Sequence, residues 1–301
     1  MESNDLFDYK FDKTENCWNI THYYGSDEEV ILPKFYKGKP VKTIGDEFSP
    51  YNKRIKRITI PEGYTSIGTL AFQNCTGLTN IKLPESLTSI GALAFDNCTK
   101  LTNIELPKNI TSIGAGTFEN CKRLTSVELP KSLISIGELA FAGCTELTNI
   151  KLPKSLTSIG GEAFLDCTGL TEIIVDKNNS AFRSVDGAIF DKTMTTLILA
   201  PVGRKGFYSI PDGIQYIGNY AFSGCKRLVN IILPDSISFI GDSAFTRCER
   251  LKTITLSNKL RYAIEYVIKD ETGLRTISLS GNPEIGRRAF EGFKGRFVYR
   301  D

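Results

Sequence analysis

The apolar residues of this chain recur with a period far longer than that of any single helix or strand. Phe72, Phe95, Phe118, Phe141 and Phe164 are 23 residues apart, and so are Phe222 and Phe245. Three residues after each stands a cysteine: Cys75, Cys98, Cys121, Cys144, Cys167, Cys225 and Cys248. Five residues before each begins an Ile-Gly pair, as in Ile67-Gly68 and Ile90-Gly91. Between these blocks runs Leu-x-x-Ile-x-Leu-Pro, seen at Leu78, Ile81, Leu83 and Pro84 and again at Leu101, Ile104, Leu106 and Pro107. A fixed period of this length marks a stacked array.

Each part of the unit predicts an element. In Leu-x-x-Ile-x-Leu the last two apolar positions alternate with polar ones, as in a half-buried strand. Proline ends that strand because it has no N–H for a ladder. Leu-x-x-Ile-Gly predicts a second extended piece, its glycine supplying a turn at positive φ. Ala-Phe-x-x-Cys predicts one helical or 3₁₀ turn. A single unit cannot bury its own apolar face, but stacked units form a continuous core. The expected fold is therefore a repeat solenoid of short β-strands and turns with short helical or 3₁₀ pieces. About eleven turns at roughly 4.8 Å per rung would span on the order of 50 Å.

The flanks and breaks complete the organisation. Residues 1–28 are aromatic and non-repetitive, and Phe7-x-Tyr9-x-Phe11 suggests a hairpin that caps the stack. Residues 29–291 carry the repeats, the last unit running Ile285-Gly286 to Phe290, and 292–301 form a closing segment with Phe293, Phe297, Val298 and Tyr299. Phe164 and Phe222 are 58 residues apart, which is no multiple of 23, so 176–208 is an irregular variant region. Further on, Ile268 stands where phenylalanine is expected and Glu271 where cysteine is expected.

The pattern Leu-x-x-Ile-x-Leu-Pro followed by Ile-Gly-x-x-Ala-Phe-x-x-Cys resembles the leucine-rich repeats of the BspA-like type. The stretch from Asn178 to Phe190 resembles a variant unit of that family. The resemblance implies a curved right-handed solenoid. It also implies a family often found on or outside cells, with some members acting as adhesins for host matrix or other cells. It brings no catalytic residues.

Composition narrows the chemistry. With 37 basic and 34 acidic residues the net charge is +3, too even to point to nucleic acid or an anionic membrane. No apolar run approaches the length of a membrane span. The first residues show no signal-peptide pattern. The expected location is extracellular or at the cell surface if such a peptide has been removed, and cytoplasmic otherwise. The ladder cysteines are expected to be buried and reduced, since parallel Cβ vectors suit disulfides poorly. The lone His22 lies in the cap and is no catalytic candidate. Gly203-Arg204-Lys205-Gly206 lacks the full phosphate-loop pattern and reads as a turn. Asp176, Asn178, Asp186 and Asp191 match no calcium loop and read as solvated turn residues. No cofactor or metal is expected.

Two surfaces remain as candidates for binding. One is the outward face of the main strand ladder: Asn80, Lys82, Asn103, Glu105, Glu128, Asn149, Lys151, Ile174 and Ile232, with Thr253, Thr255, Thr276 and Ser278 further on. The other is the irregular region, with Phe182, Arg183, Arg204, Lys205, Phe207 and Tyr208. Against these stand a purely solvated ladder face and a variant turn that Phe182 and Phe207 simply pack. The leading reading is a monomeric, non-enzymatic protein-binding module of adhesin-like kind, recognising a protein or cell-surface macromolecule. An intracellular structural scaffold is the alternative, and an enzyme using 176–208 is a third.

Overall fold

The computed structural model describes residues 6–256, 262–263, 274–280, 284–285 and 295–300. Gly286, Phe290, Phe293, Ile268 and Glu271 lie outside that set. The chain is a β-solenoid of about eleven turns. It divides into two compact units, Met1–Leu147 with Ser155–Phe164, and Thr148–Lys154 with Leu165–Asp301.

In the first unit each coil contributes one strand to a main ladder and one to a second ladder. The main strands include Arg57–Thr59, Asn80–Lys82, Asn103–Glu105 and Ser126–Glu128. The second strands are pairs such as Ser66–Ile67 and Ser89–Ile90. Both ladders are parallel and in register at 23-residue steps, for example Ile58 opposite Ile81 and Ile67 opposite Ile90. At the N-terminal end, Phe7–Asp12 and Cys17–Tyr23 form an antiparallel hairpin, and Cys17–Tyr23 pairs with Lys39–Ile44. That hairpin carries an aromatic cluster, with the Tyr9 and Tyr36 rings stacked at 3.8 Å.

The core is a set of rows. Phe72, Phe95, Phe118, Phe141 and Phe164 are fully buried, and neighbouring rings stack 5.4 to 5.6 Å apart. Burying one such side chain contributes about 1.5–3 kcal/mol. The seven repeat cysteines follow the same row, and they and Cys17 of the N-terminal hairpin are all buried and free. Thiols along the row donate to a carbonyl of the preceding coil, Cys75 Sγ to Ser49 O at 3.1 Å, Cys98 Sγ to Phe72 O at 3.3 Å and Cys121 Sγ to Phe95 O at 3.2 Å.

Two local expectations are corrected. Ala-Phe-x-x-Cys forms successive reverse turns, not a helical or 3₁₀ turn. Left-handed residues bracket each one, Leu70 and Asn74 both at φ 57°. Their amides leave the coil altogether: Leu70, Phe72 and Asn74 donate to Ala92, Ala94 and Asp96 of the following coil at 2.8 to 3.0 Å. The result is a third ladder of hydrogen bonds. The second correction concerns the glycine after the ladder isoleucine, which does not have positive φ. It is required by close approach, since a Cβ on Gly91 would lie 2.5 Å from Thr69 N and one on Gly160 would lie 2.4 Å from Glu138 N.

The second unit keeps the coil but opens with an exception. Asn149–Leu152 pairs with Glu172–Val175. The chain then makes a hairpin, Phe182–Val185 against Ala188–Asp191, which joins a seven-stranded sheet. Afterwards the main ladder resumes as a five-stranded sheet of Gly206–Ser209, Leu228–Ile232, Thr253–Leu256, Thr276–Ser280 and Arg296–Arg300.

Candidate functional site

The main ladder presents its alternate residues outward because the intervening isoleucines and valine are buried. In the first unit this exposes Asn80, Lys82, Asn103, Glu105 and Glu128. Register places Glu105 directly opposite Glu128, a like-charge pair that costs stability. In the second unit Asn149, Lys151, Glu172 and Ile174 are exposed, with Lys151 opposite Ile174. Ile232 is 52% exposed on a different sheet of that unit. Thr253, Thr255 and Thr276 are half-buried. Ser278 is buried, contrary to expectation, because its short side chain lies between Thr255 and Val298 on the flanking strands.

The irregular region has a definite construction. Asn179, fully buried, is its anchor. Its Oδ1 accepts from the amides of Ala181 and Phe182, both at 2.8 Å, and its Nδ2 donates to Pro153 O at 2.8 Å. Val185 faces Ala188 across the two-residue turn Asp186-Gly187, with φ 49° and 76°. The turn packs on the preceding coil, where Ile173 N donates to Gly187 O at 3.1 Å. Asp191 closes the following turn, accepting from Thr193, Thr195 and Thr196.

These features border a hollow of about 580 Å³. Thr171, Glu172 and Ile174 line it from the ladder, and Ser184, Asp186 and Arg204 from the irregular region. Arg204 Nη2 meets Asp186 Oδ2 at 2.8 Å, and its guanidinium sits 5.2 Å from the Tyr208 ring centroid. Hydrogen bonding to Asp186 holds the Arg204 pKa up. Ser184 Oγ accepts from Val175 N at 3.0 Å. Glu172 is exposed on the rim.

The remaining candidates of the irregular region separate by burial. Phe182 and Tyr208 are 8% and 1% exposed, so neither can present itself to a partner as expected. Asn179 draws in Phe182, and Tyr208 takes the inward place in register with Ile231. Phe207 is 51% exposed, contrary to a packing role, because it alternates with inward Tyr208. Arg183 and Lys205 are exposed. Burial pushes the Cys75 and Cys225 thiols up to about 12 and raises Cys98, Cys121 and Cys248 as well. His22 is exposed and stacks on Tyr24. Among the described residues no group of His, Cys, Asp and Glu is arranged to hold a metal. Nor, among them, is any helix long and apolar enough to cross a membrane.

This coil, with its Ile, Phe and Cys rows, is that of a known family. The chain belongs to the BspA type leucine rich repeat family, whose repeat region matches in six copies over residues 42–171, 89–198 and 207–298. Among solved structures it is similar to a leucine rich cell surface protein from Faecalibacterium prausnitzii. That match has 26% identity and a TM-score of 0.70, covering 98% of this chain and 93% of that one. A leucine-rich repeat protein from Bacteroides ovatus is also 26% identical, with a TM-score of 0.59 over 98% of this chain and 70% of that one. The pneumococcal vaccine antigen PcpA shares the fold, with a TM-score of 0.78 at 22% identity over 99% and 87% of the two chains. No curated protein matches the chain.

Proposed function

We propose that this protein is a non-enzymatic binding module that recognises a protein partner at a cell surface. The observation that carries the reading is the hollow beside Arg204 and Asp186. It joins an exposed apolar residue, Ile174, to an exposed carboxylate, Glu172, on adjoining positions of the ladder. Anchoring contacts of this kind need an apolar centre with polar groups around it. The similarity to a bacterial protein described as a cell surface protein supports the location. Eight free buried cysteines favour a second reading, a scaffold in a reducing compartment.

The test is a pull-down from the surface proteins and the lysate of the source cells. Two variants run beside the parent: Glu172→Lys with Ile174→Asp, and Lys82→Ala with Glu105→Ala, Glu128→Ala and Lys151→Ala. A surface partner held by the parent and lost by the first variant supports the hollow. Loss only in the second moves the site to the open ladder face. A partner found only in cytosolic lysate favours the scaffold reading.

A further inference from the structure

The five-stranded sheet of the second unit carries a row of positive charge at the leading ends of its strands. Lys205 precedes Gly206, whose amide donates to Arg227 O at 3.0 Å and which stands opposite Leu228. Arg227 and Arg250 hold the same place before the inward Leu228 and Leu251. Past those leucines come Lys252 and Arg275, joined rung to rung by Arg275 N donating to Lys252 O at 3.0 Å. Arg296, opposite Thr276, completes the row. All six side chains belong to exposed residues.

Nothing described neutralises them. Among the described residues none of the six pairs with a carboxylate, and Arg227 reaches only the carbonyl of Thr168. Glu249, next to Arg250, is engaged by Lys226 at 3.3 Å. The five strands themselves contain no aspartate or glutamate. Like charges on adjacent rungs repel, so the row costs stability when bare. Across five strands it runs about 19 Å at roughly 4.8 Å per rung.

Beside the charges stand groups that make neutral hydrogen bonds. Asn230, Thr253, Thr255 and Thr276 occupy outward positions of the three middle strands beside the apolar Ile232, and the exposed aromatic residues, Phe207 and Phe297, stand only on the two edge strands. A single-stranded nucleic acid needs aromatic faces along its path for base stacking. A linear sulfated polysaccharide needs guanidinium and ammonium groups for its sulfates, and hydroxyl and amide groups for its ring hydroxyls. We infer that this sheet of the second unit binds an anionic, sulfated polysaccharide along the row from Lys205 to Arg296. The occupant and the surface both differ from those of the protein site proposed above.

The experiment measures binding of a sulfated heparin-derived oligosaccharide, its desulfated counterpart and a single-stranded DNA oligonucleotide of equal charge, across a salt series. The parent is compared with Arg250→Glu, Lys252→Glu, Arg275→Glu and with the same triple change to glutamine. Lys108→Glu in the first unit, at an exposed lysine outside both surfaces, is the charge control. The parent should bind the sulfated probe and not the desulfated one. The triple changes should weaken binding by about tenfold or more and flatten the salt dependence by about two to three units of log–log slope. Lys108→Glu should leave it unchanged. If the glutamate variant fails to fold, the glutamine variant, which relieves repulsion, carries the test. Equal binding by folded triple variants, tighter binding of DNA, or no binding of the sulfated probe at low salt would overturn the inference.

Discussion

A ladder cysteine such as Cys98 or Cys121 does two things at once: it fills the space beside a phenylalanine, and its thiol satisfies a carbonyl of the coil before it. Ionising such a thiol would bury a charge, which is why the Cys75 and Cys225 values rise to about 12 from an ordinary value of about 8.5. The folded chain therefore keeps the proton that the unfolded chain releases first. This stabilisation is complete below about pH 8.5 and is lost as pH climbs towards about 12, each thiol contributing about 1.4 kcal/mol per pH unit. The urea midpoint should fall above about pH 9, and a variant with Cys75, Cys98 and Cys121 changed to alanine should show a shallower fall. Equal slopes would remove the thiols as the cause. The glycine row gives a second contrast, because a Cβ on Gly91 would be 2.5 Å from backbone whereas one on Gly114 would be 3.3 Å away. Gly91→Ala should cost about 3 kcal/mol and Gly114→Ala about 1, read from denaturation midpoints. The rows of Phe, Cys, Leu and Ile were legible because burial demands the same residue type at a fixed interval. The reason for each glycine was not, since close approach and positive φ call for the same letter. Nor was the left-handed turn at Leu70, because leucine carries no signal for that conformation.

At the level of elements, the strands of the regular repeats could be read from alternation, but Ser278 on the main ladder is buried and the strands of 176–208 were not read, although the pair Asp186-Gly187 is itself a hairpin signal. What alternation could not supply was the buried polar anchor of that hairpin. Asn179 looks in the sequence like one more loop residue beside Asn178, yet it is fully buried while Asn178 is exposed. Changing Asn179 to alanine strands the Ala181 and Phe182 amides and the Pro153 carbonyl. The expected loss is about 2–4 kcal/mol in the second unit, with faster hydrogen exchange at those amides. Asn178→Ala should stay within about 0.5 kcal/mol. Similar costs for the two would mean that Asn179 does not organise the hairpin. The helical turn expected at Ala-Phe-x-x-Cys failed for a related reason. Amides that would close a helix are instead drawn to the following coil, and that preference exists only once coils are stacked.

For the whole molecule, the near balance of 37 basic and 34 acidic residues conceals how the charges are arranged. The row from Lys205 to Arg296 emerges only when the irregular region is folded, because the hairpin absorbs the residues that would otherwise shift Lys205 away from Arg227. The hollow depends on the same hairpin, so neither surface could be found by counting periods. The regular coils carry a further consequence. Sliding one stretch past its neighbour by a full 23 residues puts phenylalanine on phenylalanine, cysteine on cysteine and isoleucine on isoleucine once more. Such a slipped stack would lose little of the core, so the rows that stabilise the fold are almost blind to which coil sits beside which. Only the places that break the repeat can tell the correct alignment from a displaced one. The Asn179 hairpin in the second unit and the aromatic hairpin in the first are thus the marks by which a folding chain can count its own turns.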